Sequence, residues 1–401
     1  MLSVEARPYI DASVPVLREH GVTITRTFYK NMFEEHPELT NIFNMGNQAN
    51  GAQQQSLAAA VFAYAANIDN PDVLAPVVSR IVHKHASVGI TAQHYPIVGR
   101  HLLGAIQQTL GDAASPELLS AWGEAYGMLA DAFIAEERKL YESADMEPGY
   151  MREMRVLSVN DESSEVRSFV LTSADDSTLR SFVPGQYVSV AVVLPTGQRQ
   201  LRQYSLSDSP GNNQVRISVK REAPGAETPA GVVSNWLHDN VKAGDILQVT
   251  PPFGDFTPDT ESDEPIVLLS AGVGITPMIS ALNRIADVNP GRKVIFAHAA
   301  RSPEYHAHRQ DLARALETMQ ALEVVTFYEI LSDEYKVLAD VQEGRMQIEA
   351  LPEWSYADTK VYMCGPVPFM QAQWIALVAK GVPPARIYRE VFGPDLLDTL
   401  Q

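Results

Sequence analysis

The sequence reads Leu268-Leu269-Ser270-Ala271-Gly272-Val273-Gly274-Ile275-Thr276-Pro277, an apolar run followed by a glycine loop and a helix-forming segment. This order predicts a strand, a tight loop and a helix in which Thr276 is the N-cap and Pro277 takes the first helical position. Unpaired N–H groups at such a helix start bind phosphates. We therefore expect the stretch from Gly272 to Pro277 to hold a dinucleotide.

A second strand end lies in Val361-Tyr362-Met363-Cys364-Gly365-Pro366. It belongs to a series of apolar runs, at 265–269, 293–297, 323–328 and 360–363, that alternate with helical patterns. This alternation predicts an α/β domain with a parallel sheet over residues 262–401. Cys364 falls at the carboxyl end of a strand, where open sheets bind ligands, although a single cysteine is also a common buried filler. Arg301 and Ser302 are candidates to reach a 2′-phosphate, but no clear acidic ribose ligand stands against them, so NADH and NADPH both stay open.

The preceding residues, 150–259, carry short alternating or β-branched runs separated by proline and glycine, which predicts an antiparallel β-barrel. In the predicted strand at Arg202-Gln203-Tyr204-Ser205, Arg202 and Tyr204 share one face and Gln203 and Ser205 the other. Arginine can clamp a pyrophosphate while the aromatic covers a ring system, which makes this a candidate flavin site. Tyr187 and a glycine turn with Ser234 as N-cap strengthen that interpretation over an ordinary edge strand.

Residues 1–146 show helical periodicity, and they carry a candidate metal ligand. His85 continues the apolar stripe of Leu74, Val78 and Ile81, so its imidazole is predicted to point inward. An inward imidazole needs a partner, and an iron fits this need. The alternative is a structural histidine.

Further residues of this helical region suit the surroundings of a gas-binding iron. Gln53 and Leu57 share one helix face, which sets a polar group beside a bulky apolar one. Tyr29 is a second candidate hydrogen-bond donor, and Phe43 a candidate wedge against a porphyrin, although both also suit an ordinary core. Glu137 lies on an apolar stripe and needs a buried partner. Tyr95 or the far nitrogen of His85 would supply one, and pairing with Lys84 or Lys139 is the alternative.

This arrangement resembles the flavohaemoglobins over the whole chain. The globin residues that match in type, order and spacing are Tyr29, Phe43, Gln53, Leu57, Lys84, His85, Tyr95 and Glu137. The reductase motifs follow in the family's order and are similar to the ferredoxin-reductase superfamily. The segment Glu390-Val391-Phe392-Gly393-Pro394 resembles the family segment that returns to the flavin, although its composition also suits a terminal strand and turn. Ala230 and Pro368 depart from glycines that are frequent in relatives.

The resemblance implies a multidomain protein in which haem b, FAD and NAD(P)H act together. It makes His85 the proximal haem ligand and iron the metal, assigns Tyr95 and Glu137 to orienting that histidine, and assigns Tyr29 and Gln53 to stabilising bound oxygen. The implied activity is a nitric oxide dioxygenase, which converts NO and O2 to nitrate. An oxygen carrier or sensor with an auxiliary reductase, and a reductase of peroxides or other acceptors, are the alternatives.

Composition narrows the partners of the chain. A net charge of −18 without a basic cluster argues against nucleic acid and anionic membranes. The single cysteine is compatible with a reducing compartment, and the N-terminus lacks the pattern of a secretory signal, so we expect a cytoplasmic protein. The uncharged stretch 265–283 contains glycine and proline, which disfavours a transmembrane segment. No obligate protein partner is evident.

Overall fold

The computed structural model describes residues 2–49, 51–225, 229–331 and 340–393. Helices come first along the chain, then an antiparallel sheet, then a parallel sheet covered by helices. This is the predicted fold class, an all-α region followed by a β-barrel and an α/β domain, and the structure confirms it. Among the described residues, the helices are all too short or too polar to cross a membrane.

The helical region is built around two apolar clusters. Its helices are α1 (Arg7–Glu35), α2 (Met45–Ala49), α3 (Ala52–Ala66), α4 (Ala75–Val88), α5 (His94–Leu110) and α6 (Pro116–Ala144). The first cluster joins α1 with α3, α5 and α6 around Phe28, Met32 and Ile106. The second joins α4 with α5 and α6 around Val82 and Phe133. The helix that carries His85 therefore packs in a different cluster from the helix that carries Gln53 and Leu57.

The antiparallel sheet has the strand order β4-β3-β6-β1-β2-β5. Its strands are β1 (Arg152–Asp161), β2 (Val166–Ser173), β3 (Tyr187–Val193), β4 (Arg199–Ser205), β5 (Val215–Lys220) and β6 (Ile246–Val249). A bridge between Leu206 and Ile217 links the end of β4 to β5 and closes the sheet on itself. The interior is apolar, and helix α7 (Val232–Asn240) covers it with Val233 and Leu237.

The parallel sheet has the strand order β10-β9-β8-β7-β11-β12. Its strands are β7 (Ile266–Ala271), β8 (Val294–Ala300), β9 (Leu322–Tyr328), β10 (Val341–Glu343), β11 (Lys360–Cys364) and β12 (Ile387–Glu390). Helices α8 (Ile275–Val288), α9 (Arg309–Thr318) and α10 (Val367–Ala379) cover it. The sheet is buried on both faces, as expected for parallel strands.

Two predicted helix starts were wrong by two or three residues. Helix α8 begins at Ile275 with Gly274 as its N-cap, so Thr276 and Pro277 lie inside the first turn. Gly274 packs closely against strand β11, since a Cβ there would lie 2.3 Å from the carbonyl oxygen of Cys364, so the helix begins at a position where only glycine fits. Helix α7 has Gly231 rather than Ser234 as its N-cap, and the Ser234 hydroxyl donates back to the Gly231 carbonyl at 3.3 Å.

Candidate redox site

A hydrogen-bonded triad with a buried carboxylate fixes the orientation of the half-buried His85. Its Nδ1 lies 2.8 Å from Glu137 Oε1 and 3.1 Å from the Tyr95 hydroxyl. That hydroxyl also donates to Glu137 Oε1 at 2.5 Å. Since an ionised carboxylate only accepts hydrogen bonds, Nδ1 carries the proton and Nε2 presents its lone pair. No described residue bonds to Nε2, which is the atom that a metal needs.

The two lysines that are candidate partners of Glu137 in the sequence have other partners. Lys84 donates to the carbonyl oxygen of Gly393 at 2.7 Å. Lys139 pairs with Glu136 at 2.6 Å on the surface of α6. Glu137 is only 2% exposed, so Tyr95 and His85 are the partners that satisfy its carboxylate.

The neighbouring histidines are also engaged elsewhere. Nδ1 of His83 accepts the backbone N–H of Gly254 at 3.0 Å, and Nδ1 of His94 accepts that of Thr91 at 2.9 Å. Burial lowers the pKa of both imidazoles below the ordinary histidine value. Of these three histidines, His85 is the one that bonds to a carboxylate through Nδ1 and leaves Nε2 without a bond to a described residue. Such an imidazole suits a haem iron.

Tyr29, Gln53 and Gln48 lie together, and Tyr29 belongs to the first apolar cluster rather than to the one that contains helix α4. Tyr29 is buried in α1, and burial raises the pKa of its phenol, so the hydroxyl stays protonated and able to donate. The amides of Gln53 and Gln48 lie beside the hydroxyl and oppose that rise in pKa. No sequence pattern singles out Gln48, because α2 spans only five residues and shows no periodic stripe. A polar residue just before the helix of Gln53 is the one signal that the sequence offers for it.

Phe43 and Leu57 are half-buried beside this group. Both pack against the first apolar cluster, and the Phe43 ring lies edge-on to the Tyr29 ring with 5.9 Å between the centroids. Their exposed parts are apolar surface that a flat porphyrin between the two helical clusters would cover.

Strand β4 brings the predicted flavin residues together. Arg202 and Tyr204 are both half-buried, with Gln203 exposed between them and Ser205 buried at the strand end. Burial lowers the pKa of Arg202, and its guanidinium bonds to the Leu201 carbonyl at 2.6 Å. No described carboxylate pairs with Arg202. A half-buried cation without a carboxylate partner suits the pyrophosphate of FAD.

The other two predicted flavin residues lie on neighbouring elements. Tyr187 is buried on β3 directly opposite Ser205, and burial raises the pKa of its phenol well above the ordinary value. Ser234 lies in the first turn of α7, where its hydroxyl also accepts the backbone N–H of Glu222 at 3.3 Å.

The glycine loop lies at the carboxyl edge of the parallel sheet. Gly272 adopts φ +54°, and the turn Gly272–Gly274 with Val273 leads directly into the N-terminus of α8. Cys364 ends β11 opposite Ser270 and Glu390, and its thiol is fully buried. Burial raises the pKa of this thiol, with Glu390 adding to the rise, so it stays protonated.

The C-terminal segment returns to the same edge. Glu390 ends β12, Val391 is buried and Phe392 is 46% exposed. Burial raises the pKa of the Glu390 carboxyl to about 7. Gly393 accepts the bond from Lys84 described above, and Pro394 lies outside the described residues.

Helix α4 joins the helical region to the reductase region, a contact that the sequence does not reveal. Besides the bonds of His83 and Lys84, its Ser87 hydroxyl accepts from Gln203 Nε2 at 2.6 Å and lies beside the Tyr187 hydroxyl. Helix α4 therefore carries His85 and also contacts the reductase region through His83, Lys84 and Ser87.

Models of known families match in three consecutive segments. The globin family matches residues 26–133, the oxidoreductase FAD-binding domain matches 153–257 and the oxidoreductase NAD-binding domain matches 268–374. The flavohemoprotein of Bordetella parapertussis is 48% identical over 98% of this chain and 99% of its own length. The chain belongs to the flavohaemoglobin family.

Other relatives agree with this assignment. The flavohemoprotein of Rhizobium meliloti is 46% identical over 99% of both chains. The crystal structure of the Malassezia yamatoensis flavohemoglobin, with bound FAD and heme, superimposes with a TM-score of 0.86 at 30% identity, over 98% of this chain and all of that one. The flavohem-like FAD/NAD-binding domain of nitric oxide dioxygenase from Vibrio cholerae is 38% identical, with a TM-score of 0.56 over 61% of this chain and 99% of that one.

The predicted family, cofactors and enzyme class are confirmed. The protein is an NAD(P)H-dependent oxidoreductase with haem, FAD and a nicotinamide coenzyme. The carboxylate-backed imidazole of His85, the guanidinium of Arg202 and the glycine loop before α8 each have the chemistry that the corresponding group requires.

Proposed function

We propose that this flavohaemoglobin is a nitric oxide dioxygenase that converts NO and O2 to nitrate at the expense of NAD(P)H. The observation that carries the proposal is the 2.8 Å contact between the Glu137 carboxylate and Nδ1 of His85. His85 lies on α4, and the same helix contacts the strands of the candidate flavin site through Ser87. When bound, the haem supplies an iron at which O2 and NO react, and the FAD converts hydride transfer from NAD(P)H into single-electron steps.

On the proximal side, we assign the iron ligand to His85 and its orientation to Glu137 and Tyr95. The Glu137 carboxylate accepts a hydrogen bond from the Nδ1–H of His85, which makes the imidazole more anionic and a stronger electron donor through Nε2. Tyr95 holds the carboxylate with its hydroxyl at 2.5 Å, so the carboxylate does not rotate away from His85.

On the distal side, Tyr29 donates a hydrogen bond to the gaseous ligand and Gln53 assists it. A phenol with a raised pKa keeps its proton, so the Tyr29 hydroxyl can donate a hydrogen bond to developing negative charge without losing that proton. Leu57 and Phe43 exclude water and confine the ligand beside that hydroxyl.

On the reductase side, we assign the FAD to Tyr187, Arg202, Gln203, Tyr204, Ser205 and Ser234, with the segment from Glu390 to Pro394 against its ring. The residues from Gly272 to Pro277 bind the coenzyme phosphates, and Cys364 lies beside the nicotinamide. Lys84 joins the globin helix to this C-terminal segment. We also propose domain boundaries at 1–146, 150–259 and 262–401.

An NO electrode tests the proposed reaction. Aerobic mixtures of the holoenzyme with NAD(P)H are expected to remove NO over many turnovers per haem, with nitrate as the main product when nitrate and nitrite are quantified afterwards. The double variant Arg202→Ala with Tyr204→Ala is the matched control. It is expected to lose NAD(P)H-driven haem reduction while dithionite still reduces the haem.

Two results would contradict the proposal. Consumption of a single NO per haem would indicate an oxygen carrier or sensor. A catalytic rate that stays unchanged in both Tyr29→Phe and Glu137→Gln would indicate a general reductase whose acceptor does not use these residues.

A further inference from the structure

An ion pair between the flavin-binding and NAD-binding regions lies at the end of β8. Arg301, the first residue after that strand, lies 2.5 Å from Glu165 through its Nη2 and the glutamate Oε2. Its guanidinium also lies 3.8 Å from the centre of the Tyr305 ring. The Glu165 side chain is 19% exposed and that of Arg301 is 54% exposed, so the arginine is the partner that solvent or a ligand reaches more easily.

Glu165 comes from the turn between β1 and β2 of the flavin-binding region, and backbone bonds fix this turn. The N–H of Ser164 donates to the carbonyl oxygen of Glu304 at 2.9 Å, across the domain boundary. The N–H of Arg221 donates to the carbonyl oxygen of Glu165 itself at 2.7 Å. The turn between β1 and β2, which belongs to the flavin-binding region, therefore positions the Glu165 carboxylate against the NAD-binding region.

The position of this pair relative to the glycine loop follows from the sheet. Strands β7 and β8 are parallel neighbours, with Ala271 paired to Ala299, so Arg301 and Gly272 lie at the same edge. In doubly wound folds the coenzyme phosphates bind at the loop after the first strand, and the adenosine ribose extends to the end of the next. An arginine there accommodates a 2′-phosphate, whereas an acid there accepts a hydrogen bond from a 2′-hydroxyl.

We propose that Glu165 determines coenzyme specificity in this chain and selects NADH over NADPH. Its carboxylate compensates the charge of Arg301 and is available to the 2′-hydroxyl of NADH. A 2′-phosphate would have to displace Glu165 from Arg301 and would then face a second anion. The acidic ribose ligand that the sequence of the NAD-binding region lacks is thus supplied by the flavin-binding region. This inference rests on the proposed coenzyme site at Gly272 to Pro277 and is independent of NO as substrate.

Calorimetric titration of the FAD-loaded full chain tests this without turnover. The probes are 5′-AMP, which carries the 2′-hydroxyl, and 2′,5′-ADP, which carries the 2′-phosphate. The wild-type protein is expected to bind 5′-AMP at least as tightly as 2′,5′-ADP. Glu165→Gln is expected to bind 2′,5′-ADP about tenfold more tightly, since Arg301 is then free for a charge-assisted hydrogen bond.

Matched variants separate this effect from a change in net charge. Asp161→Asn removes one charge from the same hairpin, where Asp161 pairs with Arg167, and is expected to leave the ratio of the two affinities unchanged. Adding Arg301→Ala to Glu165→Gln is expected to remove the tenfold gain. The anaerobic rates of flavin reduction by NADPH and NADH in Glu165→Gln should shift in the same direction as the binding ratio.

Tighter binding of 2′,5′-ADP than of 5′-AMP by the wild-type protein would overturn the proposal, as would an unchanged ratio in Glu165→Gln. The wild-type ratio decides alone if that variant does not fold. Since these titrations contain no NO, failure of the dioxygenase assay would leave a positive binding result standing, and the reverse also holds.

Discussion

The two sides of the candidate haem site differ in how completely their polar groups are paired. On the proximal side, Glu137 holds both the Nδ1 of His85 and the hydroxyl of Tyr95 at 2.8 and 2.5 Å. On the distal side, Gln54 Nε2 donates to Gln48 Oε1 at 2.9 Å, and Gln54 Oε1 is buried without a partner among the described residues. Gln48 Nε2 is buried too and makes no hydrogen bond of standard geometry there, although its amide lies beside the Tyr29 hydroxyl.

This difference indicates different tasks. A fully paired buried network is rigid, which suits a ligand whose orientation and basicity must stay constant through each cycle. Unsatisfied buried polar atoms cost free energy, so the Nε2 of Gln48 beside Tyr29 points to a place where a polar ligand completes the bonding. We therefore expect the proximal side to be ordered before the substrate arrives and the distal side to be completed by the substrate.

The largest expected effect comes from removing the centre of the proximal network. His85→Ala should abolish stoichiometric haem incorporation, because no other described imidazole in this region combines a free Nε2 with a bonded carboxylate. Flavin content should remain normal, and absorption spectra of the purified protein measure both. His83→Ala is the control, since it removes a contact to Gly254 rather than a metal ligand. Normal haem content in His85→Ala would refute the assignment.

Tyr29→Phe tests the distal side directly. A hydrogen bond to a partly anionic ligand contributes about 1.5 to 3 kcal/mol, so O2 should leave the reduced protein roughly 10- to 150-fold faster. Stopped-flow displacement of O2 measures this rate. Tyr64→Phe is the control, because the Tyr64 hydroxyl bonds to the Ala125 carbonyl. An unchanged rate in Tyr29→Phe would make Tyr29 an ordinary core residue.

The sequence predicts a site residue when a polar side chain interrupts the apolar stripe of a helix. His85 and Glu137 are polar residues on apolar stripes, and this pattern alone predicts that their side chains point inward. The choice among Lys84, Lys139, Tyr95 and His85 as partners of Glu137 is beyond such a pattern, because these residues lie on different helices or faces and only packing decides which of them meet.

Contacts between domains are not predictable for the same reason. The bonds of Lys84 to Gly393 and of Arg301 to Glu165 join residues 309 and 136 positions apart, and no local pattern relates them. The predicted start of α8 lies two residues too late along the chain, within the usual uncertainty of helix ends, and the contact of Gly274 with the backbone of Cys364 is a tertiary feature that the Thr276-Pro277 signal does not contain.

Glu137→Gln weakens the proximal side while keeping its shape. Without the carboxylate the imidazole is a weaker donor, so the haem reduction potential should rise and NO turnover should fall about 10- to 100-fold, the usual cost of losing such a partner. Potentiometric titration and the NO electrode measure the two quantities. Glu136→Gln is the control, since Glu136 is an exposed neighbour paired with Lys139. A wild-type potential in Glu137→Gln would show that the carboxylate only fills space.

The smallest expected effect, and the sharpest test of the comparison, comes from Gln48→Leu. If the Nε2 of Gln48 bonds to the ligand or holds the Tyr29 hydroxyl toward it, this substitution should accelerate O2 release by about 2- to 10-fold, the range of a neutral hydrogen bond. Thermal stability should change little, because leucine removes the unsatisfied Nε2 but also the Oε1 that accepts from Gln54 Nε2 at 2.9 Å. The Gln54 Nε2 keeps its second bond, to the Gln48 carbonyl oxygen at 3.2 Å.

A purely structural role for Gln48 gives the opposite pattern, with lower stability and an unchanged rate of O2 release. Gln55→Leu, an exposed position of α3, is the control. In the Tyr29→Phe background the Gln48 substitution should add little to the rate, since both residues act on one ligand contact. Full additivity of the two substitutions would show that the distal amides and the phenol work separately, and that the distal side is not completed as one unit by the substrate.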